Sequence, residues 1–281
     1  MAESWRVLLV CTIKPVADVL SGALRSLGHD PVAVLATRRA EGNTQPAFVE
    51  LTATSAPKGV DLLFVRDKHS MERLVRAYEP DLVACWGFPW KIPKAAFDVP
   101  RLGTINFHPS LLPRHRGPSP LPWTIREGDA VWGFTWHRMD AELDAGNILA
   151  QTSIPIEDDD VDLATFGPKL LMTGVGILPR ALERIAAGDP GDPQPKEGAS
   201  WAGNFPDDEY VRIDWSHKAR HIHNQVRAWN LTLGMSRLRA PIAEIDGKQV
   251  VVLETRLTDP GGNARRVECG DGPIWVVSYK G

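Results

Sequence analysis

Two polar side chains at the end of an apolar run are placed to do chemistry. The run at 103–108, GTINFH, carries Asn106 and His108 two residues apart. On a strand that spacing puts both on one face. Pro109 follows at once, which stops strand pairing and leaves the pair at the strand's C-terminal mouth. An amide donor beside an imidazole suits a reaction that builds an oxyanion and moves a proton. Strand ends of an α/β sheet are where such groups meet a ligand. The plain alternative is a hydrogen-bonded strand end followed by a proline-rich turn, and the local pattern does not separate the two. A second polar stretch, DAELDAGN at 140–147, holds three carboxylates, Asp140, Glu142 and Asp144, between two alternating runs.

The elements around these stretches follow from the apolar pattern. Buried runs at 5–13, 31–37, 60–65, 81–87 and 103–108 read as strands, with helices predicted at 15–28 and 70–78. Strands alternating with helices give a mostly parallel α/β sheet. Strands four and five then end on the same side of the sheet, and the loops that follow them, FPWKIP and HPSLLP, form one rim of a cleft. A short helix is expected at 120–129 and an antiparallel strand pair at 131–139 and 148–156, with DAELDAGN as their connection. Residues 162–188 carry a long helical pattern that Pro168 and Pro179 are expected to kink or break.

The Pro/Gly-rich stretch GDPGDPQPKEGASWAGNFPDD (188–208) reads as a boundary. It divides the chain into a first domain at 1–188, a linker at 189–204 and a small domain at 205–281. The small domain opens with a helix predicted at 214–230 and continues in short alternating runs separated by turns at 246–247 and 270–272. That pattern fits a small β-barrel or sheet.

Bulk properties exclude several classes. The chain has 281 residues, 43% apolar and 24% charged, with a formal net charge of −3. That balance supplies no global attraction to nucleic acid or to an anionic membrane. Cys11, Cys85 and Cys269 are too sparse for a disulfide framework or a metal-ligand spacing, which fits a reducing cytoplasm. The first residues, MAESWRVLLVCTI, read as a buried strand rather than as a targeting or spanning segment. The turn after that strand lacks G-x-G-x-x-G, so no dinucleotide fingerprint is present. Of the ten tryptophans, Trp86, Trp90, Trp123 and Trp136 lie near the polar stretches, where core packing and a ring-binding pocket are both open to them. Ser110 reads as a turn former, since no G-x-S-x-G elbow surrounds it, and His115 as a surface residue.

NFHPSLLPRHRG (106–117) resembles the N-x-H-x-S-L-L-P-x-x-x-G signature of the folate-dependent formyltransferases without a mismatch. GFTWHRMDAELDAGNILAQTSIPI (133–156) resembles that family's second block, with Asp144 as its D-x-G aspartate, and the likeness covers essentially the whole chain. The resemblance implies a mostly parallel, Rossmann-like formyltransferase domain followed by a small OB-like β-barrel domain. It implies transfer of a formyl group from 10-formyltetrahydrofolate to an amine, with no metal and no covalent enzyme intermediate. Asn106 would donate to the tetrahedral oxyanion, a contribution of about 2.7–4 kcal/mol for a preorganised donor. His108 would shuttle the proton, and Asp144 would favour the imidazolium. The folate pterin would be held by backbone groups of Phe88, Pro89 and Trp90 and of Asp140, Ala141, Glu142 and Leu143. Ser110, Leu111, Leu112 and Pro113 would approach the formyl and aminobenzoyl parts.

The acceptor is the open question. The resemblance spans three groups: purine-pathway enzymes, which share only the first domain; methionyl-tRNA formyltransferases; and small-molecule N-formyltransferases acting on nucleotide-linked amino sugars or on amino acids of siderophores and antibiotics. The tRNA group carries a basic insertion after strand two, whereas this chain reads RRAEGNTQPAFVE at 38–50. Residues 205–281 hold 11 Lys and Arg against 10 Asp and Glu, a net +1, which is a weak footprint for tRNA. The chain is also short for that group. The runs PLPWTIREGD, WHRMDAELDAGNILAQ and PDDEYVRIDWSHKA look closest to the amino-sugar enzymes. A nucleotide-linked amino sugar is therefore the expected acceptor, with Arg114 and Arg116 as candidates for its diphosphate. A formyltetrahydrofolate hydrolase is the competing activity on the same site. The sequence leaves the oligomeric state open between monomer and homodimer.

Overall fold

The computed structural model describes residues 3–37, 56–203, 210–232 and 240–281; the 38–50 stretch weighed above lies outside the described residues. In chain order the elements of the first sheet region are β1 (Arg6–Val10), α1 (Lys14–Ser26), β2 (Asp30–Thr37), β3 (Asp61–Val65), α2 (Met71–Tyr78), β4 (Leu82–Trp86), α3 (Lys94–Phe97), β5 (Thr104–His108), α4 (Pro120–Arg126), β6 (Val131–Arg138), β7 (Ile148–Pro155), α5 (Leu163–Gly176) and α6 (Leu178–Ala186). A helix α7 (Ala219–Asn230) and strands β8 (Ile242–Ile245), β9 (Lys248–Arg256), β10 (Arg265–Cys269) and β11 (Gly272–Lys280) follow.

Seven strands form one sheet in the order β3-β2-β1-β4-β5-β6-β7. The pairs β1–β2, β2–β3, β1–β4 and β4–β5 are parallel, and β5–β6 is antiparallel. The order reverses between β1 and β4, so the C-terminal ends of β4 and β5 open beside a topological switch point, the place where such sheets bind ligands. β1 and β4 are buried along nearly their whole length because helices cover a parallel sheet on both faces. This is the mostly parallel α/β architecture that the sequence pattern called for.

Aromatic packing fixes β5 from behind. Trp86, Phe107 and Trp136 meet ring to ring and are buried, and the indole of Trp136 donates to the Gly174 carbonyl in α5 at 2.8 Å. A Cβ on Gly174 would stand 2.3 Å from Trp86, so this helix approaches the sheet only as closely as glycine permits. Trp86 and Trp136 are core residues.

The long helical pattern at 162–188 is two helices. Pro168 stays inside α5, while Pro179 occupies the first turn of α6, where its missing N–H costs nothing. The helix expected from 214 begins at Ala219 instead. Asp214 accepts the Ser216 amide at 2.9 Å and its carbonyl accepts His217 N–H, so a side-chain turn replaces the first helical turn.

Contacts divide the chain into two compact units: Met1–Gly117 with Gly133–Ser153 and Leu170–Trp201, and Pro118–Trp132 with Ile154–Lys169 and Ala202–Gly281. The division does not run linearly along the chain, because β6, β7 and α5 each contribute to both units. The first unit keeps residues 189–201. In the second unit, β10-β11-β9-β8 make an antiparallel sheet with register shifts in β11, and Ile222 and Val226 of α7 pack on its Val252, Ile274 and Val276.

Candidate active site

β5 delivers Asn106 and His108 on one face, as its period of two requires. β6 pairs antiparallel with it, placing His137 opposite Asn106 and Thr135 opposite His108. Asp144 arrives from the loop after β6 with φ 55°, in the left-handed region. Aspartate tolerates that conformation better than most residues. Gly146 is required two residues on: a Cβ there would lie 1.9 Å from the Arg138 carbonyl oxygen.

The three expected catalytic residues come together. His108 Nδ1 lies 3.6 Å from Asp144 Oδ2, and Asn106 Nδ2 donates to Asp144 Oδ1 at 3.5 Å. The Gly117 amide donates to Asp144 Oδ2 at 2.9 Å. Burial alone would raise the Asp144 carboxyl, yet His108, His137 and the Gly117 N–H together hold it well below the usual carboxylate range. Burial lowers the His108 imidazole below its ordinary value, against the opposing pull of Asp144 and the His115 carbonyl.

His137 belongs to this cluster and was not among the expected residues. Its Nδ1 faces the Arg138 carbonyl at 2.8 Å and so carries a proton, which leaves Nε2 to accept from Asn106 Nδ2 at 3.1 Å. His137 Nε2 stands 3.6 Å from Asp144 Oδ1. The signal was present in the alternation of Thr135 and His137 along β6, but only the strand register joins it to Asn106.

His115 corrects an expectation. It is not a surface residue: it is 2% exposed, with φ 58°. Its carbonyl receives the His108 Nε2 proton at 2.8 Å, and its N–H donates to Ser200 Oγ at 2.8 Å. The reversed backbone at His115 turns the carbonyl inward, which spacing alone does not reveal.

The remaining candidates fall into two groups. In the 110–113 loop, Ser110 Oγ donates to the Arg114 carbonyl at 2.7 Å, the turn role expected of it. Thr135 Oγ donates to the Ser110 carbonyl at 2.7 Å and Gln151 Nε2 to that of Leu112 at 3.0 Å, so β6 and β7 pin this loop. A Cβ on Gly133 would meet Leu111 N at 2.1 Å, so Leu111 seats directly on β6, and Pro113 accepts Ser200 N–H at 3.2 Å. On the rim, Phe88 and Trp90 meet edge to face at 5.7 Å and pack on the core around Ile92, while Pro89 is exposed. Asp140, Ala141, Glu142 and Leu143 are exposed, with Asp140 accepting the Glu142 amide. Lys91 Nζ donates to the Ala141 carbonyl at 2.9 Å and ties the two rim loops together. Arg114 is half-buried; the Arg116 guanidinium donates to Gln194 Oε1.

Residues 7–182 match the Formyl transferase family and residues 207–280 its C-terminal domain. The chain belongs to the formyltransferase family. It is 34% identical to the methionyl-tRNA formyltransferase of Pelobacter propionicus over 199 residues, 70% of this chain and 60% of that protein. Against the methionyl-tRNA formyltransferase of Moorella thermoacetica it is 34% identical over 279 residues, 92% of this chain and 86% of that protein. This formyltransferase chain thus spans about 60% of the length of the first relative. Its fold is also that of the N-formyltransferase from Helicobacter canadensis solved with folinic acid and dTDP-3-aminofucose: TM-score 0.67, 16% identity, 96% of this chain and 98% of that one. Among the described residues no helix is long and apolar enough to cross a membrane.

Proposed function

We propose that this formyltransferase moves the formyl group of 10-formyltetrahydrofolate onto a primary amine or hydroxylamine. The observation that carries the reading is the convergence of Asn106, His108 and Asp144, from the family's two sequence blocks, at the β5 mouth. The acceptor nitrogen bonds to the formyl carbon, the carbon's bond to the folate nitrogen breaks, and one proton passes from the amine to that leaving nitrogen. Asn106 donates to the oxyanion between these steps with the N–H that otherwise makes the long 3.5 Å contact to Asp144, while its bond to His137 holds the donor in place before charge develops. The buried His108 rests neutral, its Nε2 proton committed to the His115 carbonyl. Nδ1 takes up the amine proton, and Asp144 stabilises the imidazolium that results. The rim loops at Phe88, Pro89 and Trp90 and at 140–143, tied by Lys91, offer backbone groups to the pterin edge.

For the acceptor we favour a small-molecule amine, with a nucleotide-linked amino sugar as the first candidate. The nearly neutral 205–281 region, net +1, and the whole chain's net charge of −3 support it over a polyanionic partner. The second reading, methionyl-tRNA, rests on 34% identity to the Moorella thermoacetica enzyme across most of both chains. Incubating the protein and 10-formyltetrahydrofolate with a panel of charged initiator tRNA, dTDP-linked amino sugars and hydroxyornithine separates them. Formylation of an amino sugar is expected; formylation of the tRNA alone overturns the preference.

A further inference from the structure

Gln194 lies in the stretch whose composition reads as a linker, yet its carboxamide makes four hydrogen bonds within the first unit. Nε2 donates to the Asp144 carbonyl at 2.9 Å and to the Gly146 carbonyl at 2.8 Å. Oε1 accepts from Arg116 Nε at 2.9 Å and Nη2 at 2.6 Å. A carboxamide supplies two donors at one end and two lone pairs at the other, and here both ends are used fully. The guanidinium fork fixes which end faces the carbonyls, so the amide has no reason to flip.

These bonds act on the part of the site least able to hold itself. Asp144 sits at φ 55°, a left-handed conformation that residues other than glycine rarely adopt. Such a turn persists only where its surroundings determine it. Gln194 grips the carbonyls on both sides of Ala145 and links them to Arg116, next to the Gly117 amide that binds the Asp144 carboxylate. Six residues further on, Ser200 Oγ accepts the His115 amide and its carbonyl accepts the Arg116 amide at 2.9 Å. The chain from 194 to 200 therefore supports both groups that flank His108: the Asp144 carboxylate and the His115 carbonyl.

We propose that Gln194 is a positioning residue for the transfer reaction, holding the Asp144 turn against the post-β5 loop so that the carboxylate faces His108. The inference rests on the formyl-transfer reading of the site. Gln194 acts through the Asp144 turn, since its carboxamide is spent on the Asp144 and Gly146 carbonyls and on Arg116.

The test compares Gln194→Ala, Gln194→Met and Gln194→Glu with Asp144→Asn and with the double variant Gln194→Ala/Asp144→Asn. Transfer is followed from 10-formyltetrahydrofolate to the acceptor that the panel identifies, 5-formyltetrahydrofolate binding by calorimetry, and the histidine rings by NMR of nitrogen-15-histidine-labelled protein. The brace predicts that kcat falls on the order of 10- to 100-fold in Gln194→Ala, the scale of a misplaced catalytic group, while 5-formyltetrahydrofolate affinity stays within about twofold. The His108 titration, which needs no acceptor, moves to lower pH as the carboxylate drifts from the ring. In the Asp144→Asn background Gln194→Ala costs nothing further, since its target is already gone. Gln194→Glu, which keeps the acceptor for Arg116 and removes the donor, falls with Ala. If the alanine variant does not fold, Met and Glu, which keep the length, carry the same comparison. Unchanged turnover and an unmoved His108 titration in a folded variant overturn the brace; so does an equal further loss in the Asp144→Asn background. Near-full turnover in Asp144→Asn instead sinks the reading of the site itself.

Discussion

The Gly117 amide donates to Asp144 Oδ2 at 2.9 Å, so the last residue of one signature block binds the aspartate of the other. Gly117 has φ 111°, which a side chain rarely adopts, so the amide's aim depends on glycine. The two blocks are thus one structure, and the aspartate's charge is held from both sides of the β5 mouth.

Asp144→Asn removes the charge that would stabilise an imidazolium at His108, and His108→Ala removes the ring. Each is expected to cost turnover on the order of 10²–10⁴-fold, the usual range for a positioned acid–base group. Steady-state kinetics checks this, and near-full turnover in either variant removes the proton-relay role.

Asn106→Ala should lower kcat by about 10²–10³-fold and leave folate affinity nearly unchanged, because the oxyanion exists only beyond the ground state. It also frees His137 Nε2, which accepts from Asn106. Weak folate binding with intact turnover contradicts the assignment.

Acid should weaken the second unit through His223. Its ring is buried, with Nε2 facing the Asp158 carbonyl and Nδ1 facing Thr255 Oγ. Burial, and then Arg227, push its pKa down to about 3. The unfolded chain binds the proton near the ordinary value of about 6.5, so it holds more protons than the fold as pH falls below that value. Stability is then full above about 6.5 and is lost progressively toward about 3. The melting temperature should fall from pH 7 to pH 5 in the wild type and fall less in His223→Gln; equal falls would remove the role of His223.

Gly174→Ala presses a Cβ into Trp86 and Phe107 behind β5. Overpacking of this kind costs about 1–3 kcal/mol. The melting temperature should drop, with the pH dependence of turnover in the folded fraction unchanged. A variant as stable as the wild type would show that the helix moves freely, which the buried ring cluster opposes.

Asn106, His108 and Asp144 were legible in the sequence because each lies in a contiguous motif whose order survives without the fold. The parallel sheet was legible for a similar reason: its strands are buried runs separated by helical patterns. His137 was not, since its role comes from pairing opposite Asn106 across an antiparallel register. His115 was hidden by a backbone reversal, and Gln194 and Ser200 by a Pro/Gly-rich composition that looks like a tether. Arg116, expected to meet a diphosphate, has its guanidinium on Gln194, a contact between residues 78 positions apart.

The most direct measurement follows 10-formyltetrahydrofolate in the presence and absence of the amine panel, quantifying tetrahydrofolate, formylated acceptor and free formate together. Tetrahydrofolate and formylated acceptor are expected in equal amounts, dependent on the amine and abolished in His108→Ala. Formate released at the same rate without any amine would contradict this.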